Sequence, residues 1–117
     1  MSQHIYKEVS FSCENDAQEA LKANDAEDLK RAVIGVALYC PTSEFAIDYC
    51  LRLVGHADAE VRGNAILGFG HLARRFGFLP SEVKALIKEG LSDPDEHVRG
   101  QALAAADDTR IFLKWDF

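Results

Sequence analysis

One segment of this sequence occurs twice. Residues VGHADAEVRGNAI, from Val54 to Ile66, return as LSDPDEHVRGQAL, from Leu91 to Leu103, at an offset of 37 residues. Both copies place a loop with an Asp before Val-Arg-Gly, a polar residue, Ala and an aliphatic residue. A fixed period of this length is typical of stacked helical pairs, because each pair buries its apolar face only against its neighbours. The repeat therefore predicts an architecture and leaves the partner open.

Length and charge narrow the class of protein. A chain of 117 residues with 48% hydrophobic content fits a single domain, residues 1–117. Its formal net charge is -6. An acidic chain is poorly suited to general binding of phosphate backbones, which needs clustered Lys and Arg. We therefore expect another protein, a basic one, as the partner, and we expect nucleic acid less.

The cysteines and the N-terminus bear on the compartment. Cys13, Cys40 and Cys50 are an odd number without C-x-x-C spacing, a pattern that predicts reduced thiols and a cytoplasmic protein. The N-terminus has no basic leader followed by an apolar run, and no stretch approaches the ~20 apolar residues that span a bilayer. These patterns predict an intracellular protein that does not bind membranes.

The apolar spacing is helical from about Cys13 onward and predicts three helical pairs, at residues 14–40, 42–76 and 80–108. Asn24 is the predicted N-cap of the second helix, and Asp93 that of the last. Residues 1–13 and the aromatic tail, residues 109–117, lie outside the pattern. Because stacked pairs leave an apolar face at each end, we expect both flanks to be caps. The alternative for the tail is an exposed anchor for a partner.

The two copies of the repeated segment resemble the HEAT-repeat family. The resemblance rests on matching positions of the two copies: Asp58, Val61, Arg62 and Ala65 in the first, and Pro94, Asp95, Val98, Arg99 and Ala102 in the second. A degenerate copy upstream has Lys30 in place of the Arg. The resemblance implies an all-α fold, a short right-handed α-α superhelix (solenoid) of about three HEAT-like helical pairs with atypical capping segments at both ends.

The resemblance also implies a ladder between neighbouring repeats, in which Asp58, Arg62, Asp95 and Arg99 have a structural role. The residues favour such a role independently, since each Asp lies four positions before its Arg on one helix face. In HEAT proteins the second helix of each pair lines the concave side. The resemblance therefore implies a concave partner-binding face composed of Arg31, Tyr39, Asn64, Leu67, His71, Arg75 and Gln101. The alternative is an ordinary solvated helix face.

Convergent catalytic groups are missing from the sequence. No two of its four histidines have the i, i+4 spacing of paired metal ligands on a helix. No G-x-S-x-G elbow is present, and Gly63, Gly68 and Gly70 lie inside a predicted helix rather than in a phosphate-binding loop. Cys40 and Cys50 are interpreted as small hydrophobic residues. We expect no enzyme activity, no cofactor and no metal.

The leading functional hypothesis is a non-catalytic protein-interaction module, because stacked helical pairs offer extended surfaces. A small acidic chain of this kind resembles bacterial immunity or inhibitor proteins that neutralise a basic toxin such as a nuclease. Two alternatives stay open. One is a HEAT-like nucleic-acid-binding protein with a basic concave face, and the other is a HEAT-like chaperone or lyase subunit acting on a partner protein. The oligomeric state is open as well.

Overall fold

The computed structural model describes the backbone of residues 2–117 and the side chains of residues 13–117. Within this range the chain forms six α-helices and no β-strand, which confirms the predicted all-α class. None of these helices combines the length and the apolar character needed to cross a membrane. In chain order the helices are α1 (Ser2–Ala23), α2 (Ala26–Tyr39), α3 (Ser43–Leu53), α4 (Ala59–Phe76), α5 (Glu82–Gly90) and α6 (Glu96–Leu113).

The first and last helices are longer than the sequence predicted. α1 begins at Ser2 rather than Glu14, and no Gly or Pro interrupts it before Ala23. α6 continues past residue 108, where Thr109 is fully buried and its hydroxyl shares a donated hydrogen bond between the carbonyls of Ala105 and Ala106. The side chains of residues 1–12, most of the predicted N-terminal cap, lie outside the described residues.

Each even-numbered helix begins at an Asp. The carboxylates of Asp25, Asp58 and Asp95 each accept hydrogen bonds from two backbone N–H groups of the following turn. This differs from the sequence prediction at two places. Asn24, the predicted N-cap of α2, lies in the turn between α1 and Asp25. It has a left-handed φ of 50°, which Asn tolerates better than most residues. Asp93 lies two residues before Asp95, the N-cap of α6, and its carboxylate binds Arg62 instead.

The even-numbered helices pack on one another in order, α2 on α4 and α4 on α6. The odd-numbered helices lie against them: α1 contacts α2, α3 contacts α2 and α4, and α5 contacts α4 and α6. α4 is therefore central, and Val61, Phe69 and Leu72 are fully buried on it. Gly68 permits a close approach at this point, because a Cβ there would lie 2.8 Å from the Sγ of Cys50.

Cys13 and Cys40 form a disulfide between α1 and the end of α2. This corrects the prediction of three reduced thiols. The prediction failed because the hairpin of α1 and α2 brings together two cysteines that are 27 residues apart in sequence, a proximity that spacing does not reveal. Cys50 is free and buried, and burial raises the pKa of its thiol to about 12.

The C-terminal tail turns back after α6. Lys114 adopts a left-handed φ of 60°, and the N–H of Trp115 donates to the carbonyl of Thr109 at 3.3 Å. Trp115 and Phe117 are partly buried against the core. The ammonium of Lys84 on α5 lies 5.9 Å from the centre of the Phe117 ring. The tail thus covers apolar surface beside α5.

Candidate protein-interaction surface

Arg62 joins the start of α4 to the loop before α6. Its Nε and Nη2 donate to the two carboxylate oxygens of Asp93, each at 2.9 Å, and its Nη1 donates to the carbonyls of His56 and Ala57. The hydrogen-bonded guanidinium holds the pKa of Asp93 below its ordinary value, and the carboxylate raises the pKa of Arg62. A bidentate pair with both side chains mostly buried has a structural role in holding the two helices together.

Asp93 was not predicted from the sequence as the partner of Arg62. The i, i+4 spacing favoured an Asp58–Arg62 pair, but the carboxylate of Asp58 is used as the N-cap of α4. Because the contact joins positions 31 residues apart, neither copy of the repeat contains both partners. The repeat offset places His56 where the second copy has Asp93, so comparison of the copies does not reveal the acid either.

A related contact joins α2 to α4. The ammonium of Lys30, in the place of the repeat Arg, lies 2.7 Å from a carboxylate oxygen of Glu60 on α4. Hydrogen bonds to Glu60 and Glu27 raise the pKa of Lys30 to about 12. The contact is largely exposed on the Glu60 side, so it contributes less than a buried bidentate pair.

Asn64 and Gln101 lie together and bridge the even-numbered helices. The side chain of Gln101 on α6 donates to the Oδ1 of Asn64 at 3.0 Å, and the Nδ2 of Asn64 donates to the backbone carbonyl of Lys30 on α2 at 3.1 Å. Both were predicted partner-binding residues. Their polar groups are engaged in a row of hydrogen bonds that runs across three helices.

Arg75 and His71 also have intramolecular contacts. Arg75 donates from Nη1 to the carbonyl of Ala37 at 2.7 Å and from Nη2 to that of Cys40 at 2.8 Å, which satisfies carbonyls at the end of α2. His71 is half-buried, with a ring nitrogen 3.1 Å from Arg74. Burial first, and the charge of Arg74 second, lower the pKa of His71.

The remaining predicted partner-binding residues differ in exposure. Leu67 is partly buried on α4. Arg31 is exposed on α2 and forms an ion pair with Asp28 at 3.3 Å. Tyr39, the last residue of α2, is 70% exposed. Of the predicted set, Tyr39 therefore offers the largest exposed apolar group to a partner.

Tyr39 borders a cavity of about 220 Å³ between α1 and α2. Its wall is mostly apolar, and a Cβ added at Gly35 would meet no atom within 4 Å, so the cavity is open at that point. Neither helix alone has this feature, and it was not predicted from the sequence. The cavity is lined by Cys13, Asp16, Ala17, Ala32, Gly35, Val36 and Tyr39.

An acidic groove adjoins this cavity and shares Asp16 and Ala32 with it. Three carboxylates and one guanidinium line it, those of Asp16, Glu19, Asp28 and Arg31. We call the cavity and the groove together the α1–α2 face. It combines an exposed aromatic ring, an apolar depression and an acidic border.

Within residues 13–117, no three or more His, Cys, Asp or Glu side chains converge in a way that could hold a metal ion. No protein-family model, curated protein or solved structure matches the chain. The resemblance to HEAT repeats therefore stays a prediction that depends on the residues of the two copies.

Proposed function

We propose that this chain is a non-catalytic protein-interaction module that binds a basic protein through the α1–α2 face. The observation that carries the proposal is Tyr39, 70% exposed beside the open cavity. Tyr is enriched among the interface residues that contribute most to binding energy, and these residues cluster in pockets from which water is excluded in the complex. A partner side chain that fills the cavity would bury the Tyr39 ring and the apolar wall at Gly35 and Val36.

The negative charge of the α1–α2 face and of the whole chain indicates a basic partner. The carboxylates of Asp16, Glu19 and Asp28 line the groove beside the cavity, and the chain as a whole has a net charge of -6. Complementary Lys and Arg residues on a partner would be steered toward this groove and oriented by it. A basic protein surface with one apolar side chain at its centre fits this arrangement.

Within that class we propose an immunity or inhibitor protein that neutralises a basic toxin such as a nuclease. A nucleic-acid-binding cleft is basic, so an acidic face can occupy it and exclude the substrate. The bacterial cytoplasm is the compartment that this role implies. The Cys13–Cys40 disulfide is a bond typical of oxidising compartments, and fractionation of the native cell tests the cytoplasmic location against a periplasmic or secreted one.

We further infer that the helices form HEAT-like pairs stacked in a right-handed superhelix. Support comes from equivalent contacts at the repeat offset. Arg62 and Arg99 each donate from Nη1 to the two carbonyls that lie five and six residues earlier. Asp58 and Asp95 each cap the following helix. Equivalent local contacts favour a repeated unit.

The alternative functions gain no support from these contacts. Arg62 and Arg75, two cations that a basic nucleic-acid face could use, are bonded to Asp93 and to backbone carbonyls. A chaperone or lyase role that uses a thiol is disfavoured because Cys40 is bonded to Cys13 and Cys50 is buried. Retention of the chain on DNA or RNA at low salt, lost steeply as salt rises, would favour nucleic-acid binding instead.

The test begins with capture of partners from the native cell on the immobilised chain, followed by identification and purification. Binding of the purified partner is then measured by calorimetry with the wild type, Tyr39→Ala, Gly35→Arg and a control, Phe78→Ala. Phe78 is an exposed aromatic residue between α4 and α5, 51% exposed. We expect a basic partner whose Kd rises about 10-fold or more for Tyr39→Ala and Gly35→Arg and little for the control. An acidic partner, or equal Kd values for all four chains, would contradict the proposal.

A further inference from the structure

α6 has an exposed face whose residues repeat those of a face that is covered on α4. At the offset of 37 residues, Gly63 and Ile66 of α4 correspond to Gly100 and Leu103 of α6. Gly63 lies against the ring of His97, where an added Cβ would be 2.8 Å from Cδ2. Gly100 has no atom within 4 Å of such a Cβ, and Leu103 is 57% exposed. The face that is filled on α4 is open on α6.

The two repeat arginines differ in the same way. The Nη1 of Arg99 donates to the carbonyls of Asp93 and Pro94, as the Nη1 of Arg62 does to His56 and Ala57. The Nε and Nη2 of Arg62 bind Asp93. For the part of the chain with described side chains, no hydrogen bond or ion pair engages the Nε and Nη2 of Arg99, which is exposed. Arg99 thus presents a free edge that matches a carboxylate.

We propose that Arg99, Gly100 and Leu103 form a second interaction surface, which binds an α-helix of another protein whose preceding loop carries a carboxylate. The contact between α4 and the start of α6 indicates which kind of segment would bind to the equivalent surface of α6. There Arg62 binds the acid two residues before the N-cap Asp95, and Gly63 receives the side chain two residues after it. A helix with the same features would bind Arg99 by its acid and lie on Gly100 and Leu103.

A second copy of this chain does not meet these requirements. The only acid two residues before an N-cap in α2 to α6 is Asp93, and Arg62 already binds it. The corresponding positions before the N-caps of α2, α3, α4 and α5 are Ala23, Cys40, His56 and Leu79. The tail does not cover the surface either, since Phe117 lies near Lys84 of α5. The occupant is therefore a different protein, distinct from the basic partner of the α1–α2 face.

The test uses an extended chain in which a second copy of residues 78–113 is inserted between Leu113 and Lys114. The inserted helical hairpin is the probe, and it carries its own copy of Asp93. Linkage makes its docking intramolecular, so even a weak surface is detected. Arg99→Gln is made in the natural and in the extended chain, each with and without Asp→Asn at the inserted copy of Asp93.

We expect Arg99→Gln to lower the Tm of the extended chain by at least ~3 °C more than that of the natural chain. This excess should disappear when the inserted Asp is replaced by Asn. Leu103→Asp should also prevent the Gly100 amide signal from shifting in NMR spectra of the extended chain. An equal effect of Arg99→Gln in both chains, or an unshifted Gly100 signal in the extended wild type, would overturn the proposal. Dimerisation of the natural chain that Leu103→Asp abolishes would overturn it too, because a second copy would then be the occupant.

Discussion

Arg62 and Asp93 form two parallel hydrogen bonds of 2.9 Å between the first turns of α4 and the loop before α6. The two side chains are only 20% and 15% exposed. This contact contributes more to stability than the surface ion pairs of the same chain. If its carboxylate were removed, the mostly buried guanidinium would be poorly hydrated and would lack a partner. It joins α4 directly to the loop before α6.

Removal of this contact should destabilise the protein. We expect Asp93→Asn to lower the free energy of unfolding by about 2 kcal/mol, since hydrogen bonds to charged groups contribute about that much. Urea denaturation measures the effect. Arg52→Ala is the matched control, because Arg52 forms an exposed i, i+4 pair with Asp48 and should cost at most ~0.5 kcal/mol. Equal losses in the two variants would contradict a structural role for Asp93.

The same contact should give the stability a pH dependence at acid pH. The pKa of Asp93 is lowered by its hydrogen bonds with Arg62. A carboxyl group with a lower pKa in the folded state contributes its full stability above the unfolded-state value of ~3.9 and loses it as pH falls through the folded-state value. The stability difference between wild type and Asp93→Asn should therefore be constant from pH 7 to about pH 5 and shrink below about pH 4. A difference that is unchanged at pH 3 would be inconsistent with this assignment.

Two helical glycines should respond in opposite directions to substitution by Ala. At Gly68 the added Cβ would lie 2.8 Å from the Sγ of Cys50 and 3.2 Å from the Cβ of Ala37. Gly68→Ala should cost about 1–3 kcal/mol through overpacking. Gly100→Ala, with no neighbour within 4 Å, should gain up to ~1 kcal/mol from helix propensity. Thermal unfolding of both variants compares them, and a stabilised Gly68→Ala would show that α3 and α4 are not closely packed at this point.

The number of reactive thiols tests the Cys13–Cys40 disulfide directly. Without reductant, the native chain should not react with a thiol reagent, because Cys50 is buried and Cys13 and Cys40 are bonded. Unfolding should expose one thiol, and reduction all three cysteines. Reduction should also lower the free energy of unfolding by about 2–4 kcal/mol. Three reactive thiols in the unreduced unfolded chain would restore the prediction made from the sequence.

Local signals in the sequence predicted the helices well where the cause of the structure is itself local. α4 ends at Phe76, where the predicted helical pair also ends, and Gly77 follows it with a left-handed φ of 76° that glycine adopts readily. The errors are at contacts between distant residues. Asp93 was predicted to be the N-cap of the last helix from its neighbours alone. Its carboxylate instead binds Arg62, which is 31 positions earlier in the sequence. Likewise, the Cys13–Cys40 disulfide depends on the pairing of α1 with α2.

The predictions for the candidate site were also limited by contacts between distant residues. The family resemblance pointed to Asn64, Arg75 and Gln101 as binding residues, but their polar groups bond neighbouring helices. Tyr39 was found by the same reasoning and is exposed. The cavity beside it could not be predicted, because two helices that pack imperfectly leave a depression that no single segment encodes.

The measurement that tests the central proposal most directly is an NMR footprint of the isotope-labelled chain with its purified basic partner. We expect the shifted signals to concentrate in the α1–α2 face, at Asp28, Ala32, Gly35 and Tyr39, and the signals of α3 and α5 to stay unchanged. Tyr39→Ala should weaken these shifts at equal partner concentration. Shifts confined to α3 and α5, with the signals of Gly35 and Tyr39 unchanged, would show that the partner does not bind at the α1–α2 face.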